Sequence, residues 1–200
     1  MSDTINTTKA DTNKTPADLS KKTETEGGIL SDAIIVKAYA TLSGYDPVSG
    51  QGDEGAAILD ALNFWRTQGI GGHKIYAFTA VNPKNTANVK AAIYLFGGLC
   101  AGVLLPLSAK HGEVWDVPKE GTTGDGAVNS WGGHAIPVIG YDKDYVYCVT
   151  WGVKKKMTWK FWNTYCDEAY VVISKEFVKE KTPHGFDLTT LQADLKALQK

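Results

Sequence analysis

The sequence predicts an α+β protein, with helices gathered in the first half of the chain and strands in the second. Apolar residues recur at helical spacing in three early segments. Two adjoining segments between residues 134 and 152 instead alternate in the manner of strands. Two hundred residues, 43% of them hydrophobic, suffice for one continuous core. Helices and strands that are segregated along a chain favour α+β over alternating α/β units.

Three helices are expected before residue 100. The first follows a Ser31/Asp32 cap and carries apolar side chains on one face as far as Leu42. A central helix is expected from about 55 to 67. The third covers residues 85–96, with apolar residues at i, i+3, i+4 and i+7, and Gly97-Gly98 ends it.

The later elements are predicted mainly as strands. The apolar run that ends at Leu107 reads as a buried strand, and a β-hairpin turns at Lys143-Asp144. A short helix follows a Thr158 cap, and residues 169–174 form the last strand. The three lysines at 154–156 are interpreted as part of a solvated loop. The second half is therefore expected to be an antiparallel sheet or barrel.

Composition and charge exclude several classes of partner and cofactor. The net charge of −1 comes from mixed acidic and basic residues, so no basic face for nucleic acid is expected. The longest apolar run is about half a membrane span, and no signal peptide is recognised at the N-terminus. Three widely spaced cysteines form no CxxC pair, and the histidines have no carboxylate or thiolate at a ligand interval. We therefore expect no metal, no cofactor and no membrane partner, and a Cys148–Cys166 disulfide stays open.

The segment Ser130–Gly152, "SWGGHAIPVIGYDKDYVYCVTWG", carries the most chemistry. A histidine follows two glycines and opens a strand, and the next strand ends in Trp-Gly. This segment resembles the papain-like cysteine peptidase superfamily, where a Gly-His-Ala segment supplies the general base. There an Asn-Ser-Trp-Gly segment supplies the group that orients the base. The stretches "LNFWR…GIGGHKI" and "SWGGHAIPV" are similar to small papain-like proteins encoded by phages and prophages.

The resemblance extends upstream to "GQGDEGAAILDALNFW" and assigns a role to each matching position. It implies that His134 is the base and that Ala56, or the neighbouring Ala57, stands where the nucleophilic cysteine belongs. Gln51 falls near the oxyanion-hole glutamine, about one residue short of the family spacing. Val149 falls where an orienting amide is expected, whereas the Trp151-Gly152 pair is retained. Gly133 and Trp151 are expected to line the cleft.

The domain organisation that follows is a papain-like two-lobed domain over residues 29–180. Residues 1–28 have few apolar side chains, and form either a disordered arm or one that becomes ordered against a partner or a neighbouring subunit. Residues 181–200 repeat leucine at helical spacing and predict an amphipathic tail helix. The arm suggests protein partners, including other virion proteins or self-association.

Three functions remain open from sequence. The first is a catalytically inactive papain-like protein that serves as a structural or binding protein, as in a phage virion. The second is a thiol peptidase or amidase whose nucleophilic cysteine has been replaced by Ala56. The third is an effector that binds a host peptide in the old substrate cleft. The expected location is the virion or the cytoplasm of a bacterial host.

The cysteine and histidine residues outside this pattern are alternative candidates for chemistry. Cys100 and Cys148 are expected to be inert buried thiols, and Cys166 is the one cysteine with polar neighbours in sequence. His73 also follows a Gly-Gly pair but precedes a different strand. It is interpreted as a structural histidine.

Overall fold

The structure is a computed structural model that describes residues 30–174. The predicted arm (1–28) and tail helix (181–200) lie outside the described residues, as does His184. The described chain falls into two compact units. The smaller unit holds residues 30–57 and 70–73, and the larger holds residues 58–69 and 74–174.

The smaller unit is built on helix α1, Asp32–Ser43. Gly44 ends the helix in a left-handed conformation with φ +79°, which glycine adopts without steric cost. The Tyr39 hydroxyl donates to Asp53 and accepts from the backbone N–H of Gly55, so one side chain ties the following loop to the helix. Gly71 also belongs here, because it fits against the side chains of Leu30 and Ile34.

The larger unit contains the remaining helices and the sheet. Its helices are α2, α3 and α4, which cover Ile58–Thr67, Thr86–Phe96 and Trp159–Tyr165. Its strands are β1 Ile75–Ala80, β2 Leu99–Leu105, β3 Val114–Trp115, β4 Gly132–Tyr141, β5 Tyr145–Thr150, β6 Val153–Thr158 and β7 Cys166–Ser174. Two 3-10 turns, Leu107–Lys110 and Gly124–Gly126, lie in the connections.

The seven strands form one mixed sheet in the order β1-β7-β2-β4-β5-β6-β3. Every pairing is antiparallel except β3 with β6, which is parallel. The α+β class is confirmed, and the sheet is open, so the barrel form of the prediction is not found in the described chain. Among residues 30–174 there is also no helix with both the length and the apolarity to cross a membrane.

Both faces of the sheet carry apolar side chains. On the inner face, α3 and α4 cover strands β2, β4 and β5, with Val89, Phe161 and Trp162 fully buried. On the outer face, α2 packs Ile58 and Leu62 against Phe78 and its neighbours on β1, β2 and β7. Because successive residues of a strand point to opposite faces, strands β1, β2 and β7 supply both cores by alternation.

Three local predictions need correction. The central helix begins at Ile58 rather than near residue 55, because Gly55 turns the chain at φ +81° just before it. The lysines at 154–156 lie on strand β6 rather than in a loop. Cys166 ends the short helix and opens β7, where its side chain is fully buried rather than presented to polar surroundings.

Candidate functional site

His134 lies on β4, with its side chain toward the inner face of the sheet. It pairs with Val103 of β2, and the next residues of the same parity, Ile136 and Val138, are buried in the core. The imidazole is half-buried because it stands at the end of this row. The strand therefore presents the ring at the margin of the core.

Thr150 is the residue whose side chain hydrogen-bonds to the His134 imidazole. Val138 pairs with Cys148 at the end of the β4–β5 ladder, and continuing that antiparallel register by two residues brings Ile136 opposite Thr150. His134 is then the diagonal neighbour of Thr150 on the same face, within reach of a side-chain contact. The Thr150 Oγ1 atom lies 2.7 Å from Nε2 of His134 in a hydrogen bond.

Val149, assigned to the orienting position by resemblance, has a different environment. The buried residues of β5 are Val146, Cys148 and Thr150, so Val149 projects from the outer face and is 36% exposed. The hydroxyl beside His134 thus comes one residue later than the expected amide. The sequence signal that identifies Thr150 is the strand alternation in "YVYCVT". Thr150 follows Val146 and Cys148 at intervals of two residues, so it projects to the same buried face.

Trp151 covers the imidazole from a strained turn. Thr150 pairs with Val153, so Trp151 and Gly152 alone connect β5 to β6, with φ of +47° and +76°. Positive φ at both central residues is the requirement of a type I′ turn, which favours Asn-Gly and is unfavourable for a bulky side chain. In this position the indole stacks on His134, with ring centroids 4.5 Å apart and planes 14° apart.

Other aromatic rings extend the stack. The ring centroid of Trp131 lies 5.3 Å from that of Trp151, and buried Trp115 meets Trp151 edge-on at 6.1 Å. The backbone N–H of Trp131 donates to Leu105, which holds the Trp131 loop against β2. Although its neighbours cover part of it, Trp151 remains 58% exposed. The cluster therefore presents an aromatic surface to solvent beside His134.

Two backbone outliers lie at this cluster, one within it and one beside it. In the part of the chain that the structure describes, Asn129 and Trp151 are the non-glycine residues with positive φ. Asn129 lies two residues before Trp131, and its N–H donates to Leu104. Strained backbone of this kind persists where the surrounding structure enforces it, and it concentrates at functional sites.

The electrostatics favour a neutral imidazole. Burial lowers the pKa of His134 from its ordinary value of 6.5, because the charged ring loses solvation. Two lysine ammonium groups lie over rings of the aromatic cluster, that of Lys110 5.5 Å from the Trp131 centroid and that of Lys155 5.6 Å from the Trp115 centroid. A neutral ring with one nitrogen bonded to Thr150 retains its other nitrogen, Nδ1, for an external partner.

The positions that the resemblance assigns to the nucleophile and the oxyanion hole belong to the smaller unit. Ala56 and Ala57 are both exposed and precede the first residue of α2. Gln51 is exposed in a turn, where its backbone carbonyl accepts a hydrogen bond from the backbone N–H of Asp46. Gly133, expected at the cleft, is an exposed residue of β4 in the larger unit.

The three cysteines are all free thiols, so Cys148 and Cys166 do not form a disulfide. Burial raises the pKa of Cys100 and of Cys148 to about 11, and that of Cys166 to about 12. A nearby carboxylate, that of Glu168 for Cys100 and chiefly that of Asp167 for Cys166, raises the pKa further. These thiols remain protonated at neutral pH.

Metal ligation finds no support within residues 30–174, where no three His, Cys, Asp or Glu side chains lie close enough together to hold an ion. His73 and His111 are both exposed. In comparisons with known proteins, no family, no curated protein and no solved structure matches this chain.

Proposed function

We propose that the chain is a papain-like domain without its nucleophile, which works as a binding or structural protein of a phage particle. The observation that carries the proposal is the state of the thiols. Ala56 occupies the position that the resemblance gives to the nucleophile, and all three cysteines have raised pKa values through burial. A protonated, buried thiol is a poor nucleophile, so none of the three replaces the missing one.

The surface beside His134 supports a binding role. Trp151 is more than half exposed although it is anchored on His134 and Trp131. Exposed aromatic rings held rigidly by their neighbours provide contact area at low entropic cost, and one polar group among them fixes orientation. The half-buried imidazole supplies that polar group.

A second candidate is a thiol hydrolase whose cysteine was replaced by Ala56. The observation that favours it is the ordered His134–Thr150 pair under Trp151, which is the arrangement a general base needs. The two candidates differ in whether a thiol at position 56 would be activated.

The deciding experiment is the pH dependence of alkylation of the Ala56→Cys variant by iodoacetamide. Because the proposal treats the chemistry as lost, we expect the new thiol to titrate near the ordinary value of about 8.5. Ala57→Cys tests the neighbouring position, and Val48→Cys is the matched control, because Val48 is an exposed residue of the same unit and the resemblance assigns it no role. The native cysteines contribute little background because of their high pKa values.

A thiol pKa at position 56 or 57 well below that of the Val48→Cys control, restored to the ordinary value by adding His134→Ala, would overturn the proposal. The protein would then be a hydrolase with its nucleophile removed. The virion role has its own test, which is mass spectrometry of purified particles. We expect the chain to copurify with them, and its recovery solely from host cytoplasm would contradict this role.

A further inference from the structure

We propose that Thr150 orients His134 through its hydroxyl group and so takes the role that the resemblance gives to an amide at position 149. The inference rests on the proposed papain-like site. It concerns the imidazole alone and does not depend on what occupies position 56. Thr150 is thus a positioning residue, and His134 is the group that would meet a ligand.

The first argument is the chemical identity of Thr150. Within residues 30–174 it is the one buried residue of polar or charged type, at 5% exposure. The residues before it in the same row, Val146 and Cys148, are fully buried and apolar. Valine has the shape of threonine and would fill the space without a hydroxyl to desolvate. A buried hydroxyl is costly unless it is hydrogen-bonded, and His134 provides its bond.

The second argument is geometric. Where β4 and β5 run side by side, Val138 pairs with Cys148, and the ladder then shifts at Ile139. The hydrogen bond between Thr150 and His134 links β4 and β5 beyond the Val138–Cys148 pair, at the end of β5 that leads into the Trp151 turn. The imidazole is fixed at Nε2 by the hydroxyl and across its face by the indole of Trp151. Two contacts of different direction leave the ring little rotational freedom.

A hydroxyl orients an imidazole differently from a carboxylate. It carries no charge, so it does not stabilise the imidazolium. A hydroxyl can donate or accept, and in this proposal it accepts from Nε2–H, which selects the Nε2–H tautomer of His134. When it accepts, Nδ1 keeps a lone pair that can accept a hydrogen bond. This site then suits a neutral ligand that offers an N–H or O–H group, such as the backbone amide of an extended peptide.

The test is the tautomer of His134, measured at pH 7.5 from the ring nitrogen shifts in long-range ¹H–¹⁵N spectra. In the unaltered protein we expect one tautomer for His134. The exposed His73 and His111 give reference signals for unrestrained rings in the same spectrum. In Thr150→Val we expect His134 to lose its single tautomer and approach that reference. Thr150→Ser, which keeps the hydroxyl, should restore it.

Two results would overturn the inference. One is a His134 tautomer ratio equal to that of His73 in the unaltered protein, and the other is no change in Thr150→Val. If the valine variant does not fold, Thr150→Ala compared with Thr150→Ser gives the same contrast, since Ser alone retains the donor and acceptor. The thiol pKa at position 56 and the tautomer of His134 are separate measurements, so a lowered thiol pKa overturns the proposed function alone and an unchanged tautomer in Thr150→Val overturns this inference alone.

Discussion

The tripeptide Gly-Gly-His occurs twice in this chain, and the two histidines have opposite environments. In the smaller unit, Gly71 and Gly72 both have positive φ, and they form a two-residue reversal in which Ile70 and His73 exchange backbone hydrogen bonds. His73 is left exposed. In the larger unit, Gly133 pairs with Leu104 as part of β4, and His134 continues the strand.

The strands beside each histidine, rather than the Gly-Gly-His sequence, determine its environment. At His73 the glycines bend the chain, and the imidazole stays in solvent. At His134 the adjacent strand extends one row of buried side chains toward the ring and ends with Thr150 and Trp151. The same three residues thus give a solvated side chain in one place and a positioned imidazole in the other.

The largest expected difference between the two histidines is the stability lost when each imidazole is removed. His134→Ala leaves the buried Thr150 hydroxyl without its partner, so we expect the free energy of unfolding to fall by about 1–3 kcal/mol. His73→Ala changes an exposed residue and should stay within about 0.5 kcal/mol. Denaturant unfolding followed by circular dichroism measures both values.

A double variant checks the physical reason. Adding Thr150→Val to His134→Ala removes the orphaned hydroxyl, so part of the lost stability should return. Equal losses for the two histidine variants, or no recovery in the double variant, would contradict the assignment of the His134–Thr150 bond.

The glycines that precede the histidines give the next largest contrast. Gly72 has φ +79°, and a Cβ there meets no neighbour, so Gly72→Ala tests backbone strain alone. We expect a loss of about 1–2 kcal/mol, the cost of a left-handed conformation for an L-residue. Gly133 lies outside the positive-φ region and also has room for a Cβ, so Gly133→Ala should be close to neutral. Thermal unfolding of the pair distinguishes them, and similar losses would contradict the different roles of the glycines.

The smallest expected effect is the pH dependence of stability. Because the pKa of His134 is lowered in the folded state, the unfolded chain binds a proton first as pH falls. The contribution of the neutral ring is therefore complete above about pH 6.5 and is lost as the pH falls from there toward the folded pKa. We expect the unfolding free energy to decline in that window, with a smaller slope in His134→Ala. His73→Ala is the control and should keep the slope of the unaltered protein. If the unaltered protein had the same slope as His134→Ala, the prediction would be wrong.

Some elements could be predicted because local chemistry determines them. Helix α3 has an Asn85 cap that accepts from the N–H of Asn88, a periodic apolar face, and Gly97 in the left-handed conformation at its end. The hairpin of β4 and β5 is similarly marked by alternation and by Asp142, which accepts from the N–H groups of the turn. These signals lie within a few residues of the elements they specify.

Strand β6 could not be predicted in this way, because its charged residues are stabilised by distant rings. The ammonium of Lys154 lies over Tyr147, and that of Lys156 lies over Tyr145, each within 5 Å of the ring centroid. Such contacts exist once β5 and β6 pair, and a run of three lysines read alone suggests a solvated loop. Cross-strand packing of this kind routinely overrides intrinsic preference.

At the candidate site, the motif pointed to His134 and Trp151, and the hydroxyl that contacts the imidazole lies one residue after the position that the resemblance assigns to the orienting amide. A resemblance aligns residues along the chain, whereas a strand sorts them by face, and a shift of one residue changes the face. Val149 and Thr150 are adjacent in sequence and project to opposite sides of the sheet. The motif indicates which residue contacts the imidazole only when it is combined with the alternation of buried and exposed residues along β5.

The turn at Trp151-Gly152 has a consequence for anyone who engineers this protein. Turn statistics recommend asparagine at position 151, where the backbone is left-handed and the side chain is exposed. A library selected by melting temperature would reward that replacement wherever relief of the left-handed strain, about 1–2 kcal/mol, exceeds the lost stacking. Such a screen would enrich well-folded proteins in which the imidazole has lost its cover. Thermal selection of this chain should therefore hold residue 151 fixed.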